Sequence, residues 1–100
     1  MRGVGAGLLL TLTLTACSPG PEENASGEEI YAQLCSTCHG ADLGGGLGPA
    51  LGPDSNAAAE TDEFIEFSVI NGRGRMPSFP TLDDRQLERL VTYIREVQGR

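Results

Sequence analysis

The sequence predicts an all-α fold, and three features of its pattern support that class. Apolar residues recur at helical spacing in three separate segments. Each segment begins at or just after a residue that can cap a helix, and these residues are Ser26, Thr61 and Asp83. The chain also lacks the alternation of apolar and polar residues that is typical of strands.

The first predicted helix begins at Gly27 and is expected to end near His39, where Gly40 interrupts it. Ser26 is a suitable N-cap, and Glu29 stands at the position that completes a capping box. One face of this helix is apolar and consists of Ile30, Tyr31 and Leu34.

Two more helices are predicted after a long loop. The loop spans residues 41–56, where the density of glycine and proline excludes a regular element. The second helix is expected over residues 61–70 and the third over residues 83–98. Asp83 and Gln86 have the spacing of a capping box at the start of the third helix. Its buried stripe is expected to consist of Leu87, Leu90, Val91 and Ile94.

Length and charge limit the functions that this chain can have. Its 100 residues leave room for one domain, and a folded part of about 80 residues makes only a small core by itself. A buried, covalently held cofactor would complete such a core. The chain has no lysine, and its 14 acidic residues outnumber 7 basic ones. A nucleic-acid role is therefore not expected, because nothing could neutralise a run of phosphates.

Residues 1–16 have the features of a secretory signal. A positive start precedes an apolar run that is shorter than the roughly 20 residues of a spanning helix. The run ends in Leu-Thr-Ala before Cys17, which resembles a bacterial lipobox. We therefore expect cleavage before Cys17 and attachment of lipid to its thiol. An ordinary cleaved signal, which would release the protein from the membrane, is the alternative.

Residues 17–26 are expected to form the lipidated cysteine and a flexible linker, since they are rich in Pro, Gly and Ser. The folded domain is expected to span residues 27–100. A lipid on the linker would hold this domain close to the membrane surface.

The motif with the clearest chemistry is Cys35-Ser-Thr-Cys38-His39. Cysteines three residues apart on a helical turn point the same way, so their thiols can form thioethers along one edge of a haem. The adjacent His39 is then directed at the iron. A zinc site would need a second pair of ligands, and a thioredoxin-like pair would need a βαβ pattern. The motif therefore predicts one covalent haem c.

Met76 is the predicted second axial ligand of the iron. His39 is the only histidine, and Met1 is the only other methionine. Met76 lies in a loop between two predicted helices, whereas a core-filling methionine is expected on a helix face. A thioether sulfur favours Fe(II) and raises the reduction potential. Because it also closes the coordination sphere, this ligand pair is typical of an electron carrier.

From Gly27 to its C-terminus the chain resembles the class I c-type cytochromes, which are small monohaem electron carriers. The attachment motif, the Gly48-Pro-Ala-Leu51 segment, the loop of residues 71–77 and the closing helix occur in the family's order. With its lipobox, the chain looks most similar to small bacterial lipoprotein cytochromes c. The resemblance implies three main helices packed around one covalent haem.

The resemblance also implies roles for individual residues. The carbonyl of Pro49 would accept a hydrogen bond from the ring of His39 and fix its tautomer. The first helix would cross the last one through Gly27, Tyr31, Leu90 and Tyr93. Some relatives dock through rings of lysines, which this chain does not have.

Two groups of residues near the expected haem have alternative roles. Arg73 and Arg75 flank Met76, and either one of them pairs with a haem propionate or both are solvated charges. Four apolar residues either surround an exposed haem edge where partners dock or pack against the haem. They are Leu43, Leu47, Pro77 and Phe79.

Together these features predict a monomeric, non-enzymatic one-electron carrier, anchored by lipid to the extracytoplasmic side of a bacterial membrane. Its expected partners are membrane redox complexes, such as a terminal oxidase or a quinol–cytochrome c reductase. A haem subunit of a larger redox enzyme and a haem-based sensor of gas ligands are the alternatives.

Overall fold

A computed structural model describes residues 3, 5, 7–10 and 20–100 of the chain. The predicted lipidation site, Cys17, lies outside the described residues, as does most of the predicted signal. Within the described part, no helix combines the length and the apolar character that crossing a membrane requires.

The described part of the chain is all-α, as the sequence predicts, but it has four α-helices where three were expected, and no β-sheet. They are α1 (Gly27–Leu34), α2 (Ser36–His39), α3 (Asp62–Asn71) and α4 (Asp84–Val97). A short 3-10 helix, Asn56–Ala59, precedes α3. The first predicted helix is divided in two at Cys35, whose φ of −118° departs from helical geometry.

The predicted capping residues begin the helices. The hydroxyl of Ser26 accepts a hydrogen bond from the amide of Glu29 at 3.1 Å, and that of Thr61 caps α3 in the same way. At α4 the capping box is complete, because Asp83 and Gln86 each accept from the amide of the other. Each such cap contributes about 1 kcal/mol to stability.

Helix α1 crosses α4 at Gly27, as the family resemblance implies. A Cβ atom at this position would collide with the carbonyl oxygen of Arg89 and lie 2.8 Å from the Cβ of Tyr93. One turn further on, the rings of Tyr31 and Tyr93 pack with their centroids 5.6 Å apart. The crossing belongs to a core whose least exposed side chains are Ile30, Tyr31, Leu43 and Leu90.

Residues 21–25, expected to be part of a flexible linker, are instead bound to α4. The side-chain amide of Gln86 donates to the carbonyls of Pro21 and Glu22. Arg89 donates to the carbonyls of Glu23 and Ala25, at 2.6 and 2.9 Å. Because Ala25 is also buried, this strap of residues 21–25 is part of the folded domain.

Candidate cofactor site

The attachment motif lies at the junction of α1 and α2. The carbonyl of Cys35 accepts hydrogen bonds from the amides of Cys38 and His39, at 3.2 and 2.9 Å. This turn brings the two cysteines and the histidine to one end of α1. Cys35 and His39 are buried, whereas Cys38 is half-buried.

A cleft of about 670 Å³ opens beside this motif. Cys35, His39 and Pro49 line it from one direction, and Arg73 and Met76 from the loop after α3. Helices α3 and α4 contribute further lining residues, which are Phe64, Ile65, Ser68, Val69 and Ile94. A cleft of this size is typical of a site for a small ligand or cofactor.

The ring of His39 is fixed as a metal ligand requires. Its Nδ1 lies 2.7 Å from the carbonyl oxygen of Pro49. Because a carbonyl can only accept a hydrogen bond, Nδ1 carries the proton and Nε2 keeps its lone pair for a metal. The backbone at Gly48 presses on the same ring, since a Cβ there would lie 3.1 Å from Cε1 of His39.

The thiol of Cys35 is buried and lines the cleft. Burial, with a smaller contribution from Cys38, raises the pKa of the Cys35 thiol to about 11. A thiol with this pKa is protonated at neutral pH. The described residues also contain no cluster of three or more His, Cys, Asp or Glu side chains that could hold a metal ion.

Met76 is held in the cleft wall by a tight turn. The amide and carbonyl of Arg73 form hydrogen bonds of 3.1 and 2.9 Å with the carbonyl and amide of Met76. Beyond the turn, the amide of Phe79 donates to the carbonyl of Val69 in α3 at 2.8 Å. The segment with the only described methionine is therefore fixed to α3 at both ends.

The two arginines beside Met76 have different surroundings. Arg73 lines the cleft, and its guanidinium lies 4.7 Å from the centroid of the Phe64 ring. This distance is typical of a cation–π contact. Both arginines are exposed, but Arg75 does not line the cleft. Only Arg73 is therefore placed to meet a negative group of a cofactor in this cleft.

The proposed apolar ring around the cofactor is only partly consistent with the structure. Leu43 is 1% exposed and belongs to the core, so it cannot form part of a docking rim. Phe79 is half-buried and packs against the core. Leu47 is 90% exposed and Pro77 is also exposed, so these two residues keep a possible role in docking.

Sequence patterns do not identify the cleft residues in the segment before α3, which includes part of the 3-10 helix. They are Asp54, Ser55, Asn56, Ala57 and Glu60. Among these residues, Ser55 has a local role that a sequence pattern could indicate: its hydroxyl caps the short 3-10 helix by accepting from the amide of Ala58. Tyr31 was expected only to pack, but its hydroxyl also donates to the carbonyl of Gly40 at 2.6 Å, directly after the attachment motif.

The chain is similar to known proteins of the cytochrome c family. A family model described as cytochrome c oxidase, cbb3-type, subunit III, matches residues 22–94. Cytochrome c-551 of Bacillus subtilis is 35% identical, and the match covers 90% of this chain and 89% of that protein.

Longer proteins contain a similar domain. Dihydro-heme d1 dehydrogenase of Pseudomonas aeruginosa is 37% identical over 94% of this chain, which spans only 19% of that protein. The crystal structure of cytochrome cL from Hyphomicrobium denitrificans superimposes with a TM-score of 0.64 and 32% identity. That match covers 72% of this chain and 45% of cytochrome cL. The chain therefore belongs to the class I c-type cytochromes, a family that binds haem c covalently.

Proposed function

We propose that this protein is a membrane-anchored, extracytoplasmic carrier of single electrons. In this proposal Cys35 and Cys38 bind the haem through thioethers, and His39 and Met76 are the axial ligands. The observation that supports it best is the cleft that His39 and Met76 both line. A bound haem supplies an iron that alternates between Fe(III) and Fe(II).

His39 supplies the nitrogen ligand. The hydrogen bond from its Nδ1 to the Pro49 carbonyl favours the tautomer in which Nε2 is the ligand nitrogen. The same bond orients the ring and increases the basicity of the ligand nitrogen. Since His39 is buried, its ring is also shielded from water.

Met76 supplies the sulfur ligand and closes the site to substrates. A methionine thioether raises the reduction potential relative to a second histidine. The half-buried side chain lies in a turn with two backbone hydrogen bonds, so the ligand is preorganised for electron transfer. A fixed ligand set suits electron transfer because little has to rearrange.

Arg73 is placed to pair with a carboxylate of the cofactor at the cleft. Its contact with Phe64 orients the guanidinium. Two acidic residues, Glu60 and Asp54, also line this cleft. A charge-assisted hydrogen bond would offset the cost of enclosing a carboxylate there.

The proposed location rests on the sequence. The apolar leader and the lipobox before Cys17 support export and attachment of lipid. The formal net charge of −7 favours a redox partner with a basic docking face. A membrane complex, such as a terminal oxidase or a quinol–cytochrome c reductase, is the proposed class of partner.

A second candidate function is service as the haem subunit of a larger redox enzyme. It is supported by the match to dihydro-heme d1 dehydrogenase, of which this chain spans 19%. The two functions are distinguished by purifying the protein after mild cross-linking and without exchanging the detergent. A carrier elutes alone, whereas a subunit elutes with its enzyme.

The test of the carrier proposal is a visible spectrum of the reduced holoprotein with and without carbon monoxide. We expect haem to remain with the chain after denaturation and the spectrum to be unchanged by CO. A spectral shift under CO would mean that the sixth position is open, and the function of a gas sensor would then replace that of a carrier. Mass spectrometry of the mature N-terminus tests the lipid on Cys17 separately.

A further inference from the structure

Gly72 is the residue at which the chain leaves α3 and enters the turn of Met76. It is the C-cap of α3, and its amide donates to the carbonyl of Ser68 at 2.9 Å. Its φ of 76° and ψ of 169° lie in a region that is essentially restricted to glycine. This conformation turns the chain so that residues 76–78 fold back over Gly72.

The space beside Gly72 is filled by the backbone of the Met76 segment. A Cβ atom at Gly72 would lie 2.8 Å from the carbonyl oxygen of Met76. It would also lie 3.0 Å from the amide nitrogen of Ser78 and 3.1 Å from the carbonyl carbon of Pro77. These are backbone atoms, so no side-chain rotation can relieve the contact.

The surrounding hydrogen bonds determine which part of the chain has to move. The amide of Phe79 is bonded to the carbonyl of Val69, so the far end of the segment is held to α3. The near end is held by the amide of Gly72 on Ser68. A side chain at position 72 would therefore displace the segment between these two points, which contains Met76.

We propose that Gly72 is a positioning residue for the iron's sulfur ligand. The close approach of Met76's carbonyl to the Gly72 α-carbon sets the position of the Met76 side chain at the cleft. In this way one glycine decides whether the sixth coordination position is closed or open to small ligands. The inference rests on the proposed function, because it takes Met76 to be that ligand.

Gly74 provides a matched control in the same turn. Its φ is +57°, so a substitution there also places a side chain on a left-handed backbone. A Cβ at Gly74 would meet no atom within 4 Å, however. G72A and G74A therefore share a positive φ, but G72A adds a backbone region restricted to glycine and the collision with the Met76 segment.

The experiment compares wild type, G72A, G74A and M76A as holoproteins. The measurements are the CO affinity of the reduced form, the far-red absorption band of sulfur-ligated ferric haem and the reduction potential. For G72A we expect CO affinity at least about tenfold above that of G74A, which corresponds to about 1.4 kcal/mol. We also expect a weakened far-red band and a lower potential. G74A should resemble the wild type in all three measurements.

Three outcomes would overturn the inference. If G72A and G74A behave alike, the collision at Gly72 does not position the ligand. If M76A matures with haem but G72A does not, Gly72 is needed for folding rather than for ligation. If wild type and M76A bind CO equally well, Met76 is not the ligand, and the proposed ligand set fails together with the inference.

Discussion

At the scale of single residues, Tyr31 links the core to the attachment motif. Its side chain is 1% exposed, and its hydroxyl donates to the carbonyl of Gly40, next to His39. Burial is the main cause that raises the pKa of Tyr31 to about 12, with smaller contributions from neighbouring groups. The neutral phenol therefore favours the folded state.

This pKa makes a prediction for stability at high pH. Between pH 10 and about 12 the unfolded chain loses the Tyr31 proton while the folded protein keeps it. The free energy of unfolding should fall as pH rises through this window. The chain has no lysine to titrate in this window. In the haem-free chain the Cys35 thiol titrates there as well, so the holoprotein is used. Chemical unfolding at several pH values checks it.

The comparison of Y31F with Y93F provides the control for this prediction. In Y31F the free energy of unfolding should no longer show the fall with pH that is specific to Tyr31. At neutral pH it should be about 1 kcal/mol lower than in the wild type, because the Gly40 carbonyl loses its donor. Y93F keeps that donor. Equal pH profiles for wild type and Y31F would contradict the assigned role of the buried hydroxyl.

The sequence could identify the residues of the site that belong to a local motif or are unique in the chain. Cys35, Cys38 and His39 form one motif, and Met76 stands out because Met1 is the only other methionine. Arg73 could not be separated from Arg75, because the tight turn that places only Arg73 at the cleft depends on tertiary packing.

At the scale of elements, the crossing of α1 and α4 depends on one small residue. The backbone of α4 approaches so closely that any side chain at Gly27 would collide with the Arg89 carbonyl. G27A should therefore destabilise the holoprotein by about 1–3 kcal/mol, the usual cost of overpacking. Guanidinium unfolding measures this loss.

The control for the crossing is Q33A, since Gln33 is exposed on the same helix. It should leave the free energy of unfolding within about 0.5 kcal/mol of the wild type. If G27A were as stable as Q33A, α1 and α4 could move apart without loss of stability. The close crossing would then not require glycine at position 27.

Helical periodicity predicted where the helices lie but not every boundary. The caps at Ser26, Thr61 and Asp83 were correct because each acts within three residues of its own position. The break at Cys35 was missed because a change of dihedral angle at one residue leaves the apolar spacing of α1 unchanged.

At the scale of the whole molecule, Arg95 of α4 binds α3 and the segment of residues 57–60, part of which lines the cleft. From the buried end of α4 its guanidinium donates to Asp62 of α3 at 2.8 Å and to the carbonyl of Glu60 at 2.6 Å. It also donates to the side chain of Gln98 at 2.8 Å. Sequence patterns did not reveal this hub, because its partners lie up to 38 residues away in the chain.

Replacement of Arg95 should loosen the segment that contains Ala57 and Glu60, two residues that line the cleft. R95K keeps the charge but cannot reach several acceptors at once, and we expect it to cost about 1.5–3 kcal/mol. Thermal unfolding of the holoprotein measures the loss. R100K is the control, since Arg100 is exposed and contacts only the Ala58 carbonyl through its side chain. Equal losses for R95K and R100K would mean that the fork geometry of Arg95 is unimportant.

The strap of residues 21–25 determines how closely an N-terminal anchor would hold the domain. Four carbonyls of the strap accept hydrogen bonds from Gln86 and Arg89 of α4. If Cys17 is lipidated, only the few residues between it and Pro21 separate the lipid from a point fixed on α4. The domain would then have a preferred face toward the membrane, rather than turning freely on a linker of ten residues.

Release of the strap is predicted to expose it to proteolysis without disturbing the haem. In Q86A/R89A the strap carbonyls lose these donors. If opening of the strap becomes easier by about 1.4 kcal/mol, a glutamate-specific protease should cut at Glu22 or Glu23 at least about tenfold faster than in the wild type. R85A/E88A changes two exposed residues of the same helix and should leave the cleavage rate unchanged. The visible spectrum should be the same in all three proteins, because neither pair lines the cleft. Equal cleavage of Q86A/R89A and the wild type would show that these hydrogen bonds do not hold the strap on α4, and the orientation of the domain by an anchor would lose its support.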